Sequence, residues 1–393
     1  MPVRQTGRYE RSTIAGEAIN AFVPYPLPPT VPLALDGDAH VALLAAEQAL
    51  SRLDLAGDMV PSLDWFIYAF VRKEAVLSSQ IEGTQATLVD LLAYEARAGA
   101  DGKGHTAPTA DVEEVTNYLA ALEYARAQLA DAHGLPLSVR LLNETHRRLM
   151  SGARGAEKLP GEVRRSQNWI GGRRPGNAAF VPPPPQLLPE LLADFERYLH
   201  ADDTTPPLIR AALLHVQFET IHPYLDGNGR IGRLLVTLLL EHWKLLDAPL
   251  LYLSLYFKRD RTEYYRRLSA VRTDGDWEGW VSYFLDGVTT IADEAVDAAQ
   301  RLFSLINLDR ARLIQTDGIS VATLRMFEQL PRHPIVTVAS VMTRTAVTKP
   351  TAGKVVDQLV AAGVLRETTG RMRDREFVYE GYLGVLRAGT EVA

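Results

Sequence analysis

His222-Pro-Tyr-Leu-Asp-Gly-Asn-Gly-Arg-Ile-Gly-Arg233 separates two runs in which apolar residues recur with helical spacing. The first run covers residues 208–221. In the second, apolar residues fall at i, i+3, i+4, i+7 and i+8, the spacing of a buried helix face. These residues are Ile231, Leu234, Leu235, Leu238 and Leu239. The sequence therefore predicts a helix, a glycine-rich turn and a second helix.

The predicted turn has the composition of an anion-binding site. Gly227 and Gly229 have no Cβ, so their backbone N–H groups can approach an anion at the positive end of the following helix dipole. Arg230 and Arg233 lie at the same helix start, where the dipole disfavours each cation by roughly 0.3–1 kcal/mol. We therefore expect a negative group to compensate them. A polyphosphate suits this role, because guanidinium groups bind phosphate oxygens in a bidentate manner.

Two further residues of the turn suit chemistry on a phosphate. Asp226 offers a hard oxygen ligand for Mg²⁺, which takes one or two carboxylates together with phosphates and water. His222, with an ordinary pKa near 6.5, suits a general base. Each residue alone also fits a structural role, in a turn, a helix cap or a helix end. The GxGxxG pattern at 227–232 lacks the preceding buried strand that dinucleotide binding requires.

Composition restricts the class of protein. The chain has 393 residues, a formal net charge of −6 and 47% hydrophobic residues, as expected for a folded protein of two or three domains. It has no cysteine, which excludes disulfides, thiolate metal sites and a cysteine nucleophile. No export signal and no apolar run of about 20 residues is visible, so we expect a cytoplasmic protein without a membrane partner.

Periodicity divides the chain into three parts, 1–110, 111–314 and 315–393. Helical spacing dominates the first 150 residues after a proline-rich opening, residues 1–34, which we interpret as an extended arm. Residues 151–189 are rich in Gly, Arg and Pro and indicate a hairpin or flap. The last part reads as three short helices followed by two β-rich runs, 364–368 and 376–379, which is a winged-helix pattern.

Residues 222–233 closely resemble the signature of Fic domains, HxFx(D/E)GNGRxxR, with Tyr224 in place of the usual Phe. Gly227 resembles the AMP-transferring members more than the kinase-like Doc branch, which usually has Ala there. The resemblance implies a mainly α fold, a Fic-type helical bundle with a short β-hairpin flap, followed by a C-terminal winged-helix domain. It makes 1–110 the arm and inhibitory region, 111–314 the Fic catalytic domain and 315–393 the winged helix.

The resemblance also implies an activity. ATP would bind with its phosphates on the 227–230 loop and Mg²⁺ on Asp226, and His222 would take a proton from a hydroxyl of a target protein or of the chain itself. AMP would remain on that Tyr, Thr or Ser. Asn228 would orient the α-phosphate, while Arg230 and Arg233 would hold the β- and γ-phosphates.

Other residues are placed near the nucleotide by the same resemblance. Trp169, Ile170 and Gly171, in the predicted flap, would line the nucleotide site and align an extended target segment through main-chain pairing. Tyr265, with its neighbour Tyr264, would lie near the adenine.

Ser78-Ser-Gln-Ile-Glu82-Gly83 fits the inhibitory pattern (S/T)xxxE(G/N) of the family, with Ser78 and Glu82 as its conserved positions. Without the resemblance, the same residues read as a helix that ends in a glycine cap. A carboxylate near a helix C-terminus is disfavoured by the dipole, so Glu82 needs a cationic partner, and Arg233 is the natural one. The pair would keep basal activity low. In similar relatives this glutamate can also align water for removing AMP.

Rival functions stay open at this point. Residues 344–376 contain seven Lys or Arg against four Asp or Glu, and a basic loop, Arg371–Arg375, follows a candidate recognition helix at 350–362. This pattern suits DNA phosphates, or simply a solvated hairpin. The alternatives to a protein adenylyltransferase are a DNA-binding regulator whose Fic domain senses nucleotide and a Fic enzyme that transfers another phosphoryl-containing group. A homodimer also stays open.

Overall fold

The protein is described by a computed structural model that covers residues 4–14, 16–35, 37–58, 62–98, 107–152, 155, 157–371 and 374–392. Within these ranges the chain is mainly helical, as predicted. The helices are α1 Asp38–Asp58, α2 Leu63–Ile81, α3 Leu88–Ala98, α4 Ala110–Ala130, α5 Val139–Leu149, α6 Leu188–Leu199, α7 Pro207–Ile221, α8 Asn228–His242, α9 Ser254–Arg259, α10 Arg261–Asp274, α11 Trp277–Gln315, α12 Val321–Phe327, α13 Val338–Thr345, α14 Lys349–Ala361 and α15 Glu380–Leu386. The strands are β1 Gly7–Ile14, β2 Glu17–Pro24, β3 Ile335–Thr337, β4 Arg366–Glu367 and β5 Glu376–Val378. None of the described helices is both long and apolar enough to cross a membrane.

Helices α7 and α8 form the centre of the helical bundle. Helix α7 is buried from Leu208 to Ile221, and α8 is buried from Arg230 to Leu240. They are enclosed because α4, α5, α6, α10 and α11 pack around them. A helix buried on all sides needs apolar residues beyond a single stripe, which these two runs supply. The turn between α7 and α8 is therefore held by a rigid core.

Polar caps fix the starts of the helices around this centre. Thr109 accepts a hydrogen bond from the Val112 N–H at the start of α4, and Ser138 accepts one from Leu141 at the start of α5. Asp276 does the same for α11. Each cap satisfies a backbone donor that the first helical turn leaves unpaired and contributes about 1 kcal/mol.

The N-terminal arm is not merely extended, as the proline-rich sequence suggested. Strands β1 and β2 form an antiparallel hairpin whose register runs from Gly7 opposite Pro24 to Ile14 opposite Glu17. The Phe22 N–H of β2 also donates to the Val181 carbonyl, at 2.9 Å. The hairpin escaped prediction because β1 is polar and exposed along most of its length and so lacks a clear alternation.

The flap between residues 151 and 189 contains less sheet than predicted. Its one bridge within the described residues joins Ile170 and Phe180, whose N–H groups donate to each other's carbonyls at 2.8 and 3.1 Å. Gly171 and Gly172 have positive φ angles of 67° and 77°, which turn the chain away immediately after the bridge. The prolines at 182–185 provide no N–H donors on the other side. The predicted hairpin is therefore reduced to a single pair.

The C-terminal part consists of α12–α15 and a three-stranded antiparallel sheet in the order β3-β5-β4. The two predicted β runs are present as β4 and β5, and β3 was missed because three residues carry no measurable period. The name winged helix stays a prediction, and residues 372–373 of its basic loop lie outside the described residues. Helix α11 has 39 residues, roughly 60 Å, and connects this part to the bundle.

Candidate active site

The turn between α7 and α8 contains two residues with positive φ angles, and one side chain makes hydrogen bonds across it. His222 adopts a left-handed conformation with φ 50° and ψ 61°, and Gly227 has φ 77°. The Asn228 amide donates to the Tyr224 carbonyl and accepts from the Tyr224 N–H, both at 2.8 Å. Asn228 is buried and its side chain is used within the turn. A phosphate contact from Asn228 would therefore come from its backbone N–H.

His146 of helix α5 packs against the same turn. Its ring stacks on Tyr224 with centroids 3.8 Å apart, and its Nε2 lies 3.0 Å from the Asp226 carbonyl. Because the Gly161 N–H donates to Nδ1 at 2.9 Å, the proton is on Nε2, which donates to Asp226. Burial lowers the pKa of His146 to about 4, so the ring is neutral at pH 7. Sequence reasoning missed His146, which is 80 residues from its partner.

The substitution of Tyr for Phe at position 224 has a local partner. The Tyr224 hydroxyl donates to Asn143 Oδ1 at 2.8 Å, while the ring stays buried between α5 and α7. The tyrosine therefore keeps the apolar packing of a phenylalanine and adds one hydrogen bond to α5.

His222 is neutral at pH 7. Its Nδ1 is buried and has no hydrogen-bond partner among the described residues. Burial lowers the pKa of His222 to about 4, and the nearby Arg164 guanidinium lowers it further. A histidine with a depressed pKa is unprotonated at neutral pH, and it can accept a proton without first losing one.

Arg233 binds the residues of the predicted inhibitory pattern. Its Nη2 lies 2.6 Å from Glu82 Oε1, its Nε donates to Ser78 Oγ at 2.9 Å and its Nη2 donates to the Ser78 carbonyl at 2.9 Å. The expected contact between Glu82 and Arg233 is thus present. Burial alone would raise the pKa of Glu82, but Arg233 and the more distant Arg230 and Arg261 hold it below its ordinary value.

The Glu82 carboxylate also rests on the glycine-rich turn. A Cβ built on Gly229 would lie 2.2 Å from Glu82 Oε1, so only glycine leaves room for the carboxylate there. Glu82 follows the last residue of α2 and is one third exposed, so the carboxylate reaches the turn from outside the bundle core. A protein carboxylate therefore occupies the place where the sequence predicts a bound anion.

Arg230 has a protein partner that the sequence did not reveal. Its Nη1 lies 3.3 Å from Glu114 Oε2 on α4, and Thr84 also donates to this carboxylate, at 2.9 Å. Both members of the Arg230–Glu114 pair are almost fully buried. The two arginines of the turn are thus compensated by Glu114 and Glu82. This corrects the charge argument, because these arginines do not by themselves require a phosphate.

Each of the two guanidinium groups still has an unused donor. Arg230 Nε and Arg233 Nη1 are buried and make no hydrogen bond to the described residues. Buried N–H groups of a cation are costly when unpaired, by about 1–3 kcal/mol each. These two donors are therefore unsatisfied among the described residues while Glu82 is in place.

Asp226 fits a magnesium site of the kind that uses one carboxylate. Its side chain is half exposed, and its Oδ1 accepts from the Gly227 N–H at 2.6 Å and lies 3.8 Å from Arg230 Nη2. Within the described ranges no group of three or more His, Asp or Glu side chains is arranged to hold a metal. Mg²⁺ bound through one carboxylate and phosphates needs no such group.

The predicted flap residues lie at the surface beside the turn. Trp169 and Ile170 are 38% and 37% exposed. The adjacent Asn168 donates from Nδ2 to the Tyr224 carbonyl at 3.2 Å, which attaches the flap to the turn. Gly171 follows with a positive φ, and a Cβ there would lie 3.0 Å from the Ala179 Cβ.

The two tyrosines of α10 have different environments. Tyr265 is 38% exposed and lies close enough to Glu82 and Arg233 for their charges to affect its hydroxyl, whose pKa is raised mainly by burial. Tyr264 is fully buried, and its hydroxyl lies 2.9 Å from His215 Nε2. The suggestion that Tyr264 lies near the adenine is wrong, because it belongs to the core.

We expect Tyr264→Phe to lower the free energy of unfolding by about 1–3 kcal/mol, because it leaves the buried Nε2 of His215 without its donor. His215 Nδ1 is bonded to the Gly232 carbonyl, so the ring cannot turn to find another partner. Chemical denaturation of the variant measures the change. ATP affinity should stay within about twofold, and a larger loss would return Tyr264 to the binding site.

The fold and the site define a helical domain built around a buried, glycine-rich turn between two core helices, with a histidine at its start. Residues 40–127 match the family profile described as Fic/DOC family N-terminal, and residues 136–240 match that of the Fic/DOC family. The chain carries the N-terminal domain and the Fic domain of the Fic/DOC family. The resemblance noted in the sequence is confirmed.

Curated relatives extend the match. The chain is 30% identical over 305 residues to protein adenylyltransferase Fic of Drosophila mojavensis, covering 75% of this chain and 56% of that protein. It is 32% identical over 290 residues to the protein of the same name from Drosophila yakuba, covering 71% and 53%. The chain spans about half the length of these relatives.

Solved structures show the same fold. A Fic family protein from Desulfovibrio desulfuricans has a TM-score of 0.54 and 22% identity, with 90% of this chain and 98% of that chain covered. A Fic domain containing signaling protein from Bacteroides thetaiotaomicron has a TM-score of 0.52 and 22% identity, with coverage of 65% and 97%. At this identity the likeness concerns the fold alone.

Proposed function

We propose that this protein is an adenylyltransferase that moves AMP from ATP to a Tyr, Thr or Ser hydroxyl of a target protein or of itself, and that Glu82 restrains it. One observation carries the proposal: the Glu82 carboxylate sits on the glycine-rich turn, 2.6 Å from Arg233 and against Gly229, where it would compete with a phosphate. The name shared by the curated relatives supports the same reaction.

The turn offers three kinds of donor to a triphosphate. The backbone N–H groups of Asn228 and Gly229 lie at the positive end of α8, and Arg230 Nε and Arg233 Nη1 have no hydrogen-bond partner among the described residues. Displacement of Glu82 would add the remaining Nη2 of Arg233. A phosphate chain along the turn would thus meet successive donors, which favours a nucleoside triphosphate over a single phosphate.

The transfer itself requires a base and an in-line geometry. The target hydroxyl oxygen forms a bond to the α-phosphorus, the bond from that phosphorus to the oxygen bridging to the β-phosphate breaks, and pyrophosphate leaves. The hydroxyl proton goes to a ring nitrogen of His222, which is neutral at pH 7. Mg²⁺ held by Asp226 would neutralise phosphate charge. Such reactions depend mainly on positioning and electrostatic stabilisation.

Glu82 competes with the phosphates for one guanidinium group. While it holds Arg233, a γ-phosphate lacks its strongest partner, and ATP would bind in an unreactive position. The same carboxylate, beside the turn and one third exposed, could orient a water molecule toward a modified hydroxyl. We therefore keep removal of AMP as part of the proposed function.

Labelled ATP distinguishes AMP transfer from the other reactions. We expect the Glu82→Gly protein to become labelled by α-³²P-ATP and not by γ-³²P-ATP, and we expect EDTA to prevent the labelling. Mass spectrometry should find a gain of one AMP on a hydroxyl side chain. Label from the γ-position would indicate a kinase, and a preference for another nucleotide or a diphosphate donor would indicate a different transferred group.

A DNA-binding regulator remains the second candidate. In the described part of the basic region, Arg366 and Arg375 are paired with Glu380 and Glu367 at 2.8 and 2.5 Å, which reduces the positive charge available to phosphates. A salt-dependent gel shift in the absence of any label transfer would favour this candidate.

We place the protein in the cytoplasm because a cysteine-free composition suits a reducing compartment.

A further inference from the structure

Arg164, in the first part of the flap, is a buried cation whose side-chain partners among the described residues are all carbonyl groups. It is 1% exposed. Its Nε donates to the His222 carbonyl at 2.9 Å, its Nη1 to the Ser166 carbonyl at 3.2 Å and its Nη2 to the Pro183 carbonyl at 2.6 Å. No ion pair with a carboxylate is formed by Arg164 among the residues the structure describes. Burial lowers its pKa to about 10, so it stays charged at neutral pH.

The three carbonyls belong to three different parts of the site. Ser166 precedes the Ile170–Phe180 bridge of the flap, Pro183 follows it, and His222 is the proposed base. The backbone adds a fourth link, since the Arg164 N–H donates to the Pro223 carbonyl at 2.9 Å. A single planar guanidinium group therefore fixes both ends of the flap relative to the residue that would accept the proton.

Two neighbouring amides reinforce this arrangement, which we name the flap root, residues 164–168 with 182–183. Gln167 Nε2 donates to the Pro182 carbonyl at 2.7 Å and so joins the two arms of the flap. Asn168 Nδ2 donates to the Tyr224 carbonyl and so joins the flap to the turn. All of these bonds run from side chains to backbone, and none depends on an exposed charge.

Burying a charged side chain in a protein interior costs desolvation free energy. An apolar side chain would pack there without the cost of desolvating a guanidinium group. The arginine is explained if its three directed bonds are needed, because His222 has a left-handed backbone that persists only where its surroundings determine it. The Nε bond to the His222 carbonyl is one such constraint.

We propose that Arg164 is a positioning residue, which sets the distance between the flap and the ring of His222 so that a hydroxyl presented along the flap meets the base. This inference rests on the proposed function. It assigns no contact between Arg164 and the nucleotide, whose phosphates we propose to lie along residues 227–233.

Arg164→Lys in the Glu82→Gly background tests the geometry. Lysine keeps the charge, but one ammonium group cannot reproduce a planar fork that reaches three carbonyls. We expect kcat for AMP transfer to fall about tenfold while the Kd for ATP stays within about twofold, since misplacement of a reacting group acts on the chemical step. Arg165→Lys is the matched control. Arg165 is largely exposed, pairs with Glu162 and should leave both constants unchanged.

The pH dependence of kcat/KM is a second measurement, because a loss of packing alone would not shift its acid limb. The charges that act on His222 are those of Arg164, Glu82 from the end of α2 and Arg272 from α10, and the main chain of Glu219 in α7 also affects the ring. In the Glu82→Gly background, Arg164→Met removes a cation that lowers the pKa of His222. The pKa therefore rises, and the acid limb of kcat/KM should move to higher pH. A purely structural loss would reduce the rate equally at every pH.

The results of these experiments distinguish a failure of this inference from a failure of the proposed function. If the Glu82→Gly parent does not transfer AMP, the proposed function is wrong and the inference falls with it. If the parent transfers AMP and Arg164→Lys keeps its kcat, or the acid limb does not move in Arg164→Met, only the inference is overturned. Should the Arg164 variants not fold, Asn168→Ala breaks one bond of the flap root and should lower kcat about threefold without changing ATP affinity.

Discussion

Glycine in place of Glu82 is expected to raise AMP transfer, measured as self-labelling by α-³²P-ATP with Mg²⁺, about 10- to 100-fold. The substitution removes the carboxylate that lies 2.6 Å from Arg233 Nη2 and frees this donor for a γ-phosphate. A hydrogen bond between charged groups contributes about 1.5–3 kcal/mol, which corresponds to that range of rate if Arg233 is limiting.

The variant should keep its fold. Glu82 lies just after the end of α2, with φ −85° and ψ 0°, so glycine there does not interrupt a helix. Arg233 retains its two bonds to Ser78 and stays in position when the carboxylate is removed. An unchanged melting temperature would show that the gain in labelling does not arise from partial unfolding.

Glu82→Gln is the matched control, because it preserves size and removes only the charge. We expect it to give an intermediate gain, since an amide oxygen can still accept from Arg233 but competes less well with a phosphate. Equal labelling by the wild-type, Gln and Gly proteins would contradict the assignment of Glu82 as the restraint.

Alanine in place of His222, in the Glu82→Gly background, is expected to lower AMP transfer by about 10²–10⁴-fold, which is the usual contribution of a general base. The Kd for ATP should change by less than about threefold, because the phosphate donors are on the following turn. Single-turnover labelling and calorimetry measure the two quantities. Transfer that persists at the parental rate would remove His222 from the mechanism.

Two further variants make the His222 result interpretable. His222→Asn keeps a residue that tolerates the left-handed backbone at this position, so its loss of transfer could not be assigned to strain. His242→Ala, at the exposed end of helix α8, is the control for removing a histidine and should leave transfer unchanged.

Local patterns predicted the centre of the fold well. The helical spacing on either side of residues 222–227 placed α7 and α8, and the glycines placed the turn between them. Strand β1 was missed because its exposed polar residues have no apolar period, and the flap was overestimated because its prolines and positive-φ glycines limit pairing to one bridge. Where buried apolar residues recur at regular spacing along the chain, the sequence predicts the secondary structure. Where they do not, tertiary contacts determine it.

Within the candidate site, the sequence predicted only contacts between oppositely charged side chains. Opposition to the helix dipole, together with the family resemblance, pointed to the contact between Glu82 and Arg233. The same argument required a negative partner for Arg230 but could not choose between a phosphate and Glu114, which is 116 residues away. His146 and Arg164 were not found at all, since a histidine under a turn and an arginine bonded to carbonyls leave no local signal.

The exposure of Trp169 gives this protein a built-in optical reporter. Of the five tryptophans, Trp65, Trp277 and Trp280 are buried and Trp243 is half-buried, while Trp169 alone is exposed, on the flap. Its emission should therefore be red-shifted relative to the others and open to quenching by acrylamide. Under the proposed function, docking of a target polypeptide along the flap would shield the indole, so that its approach could be followed in real time without attaching a dye.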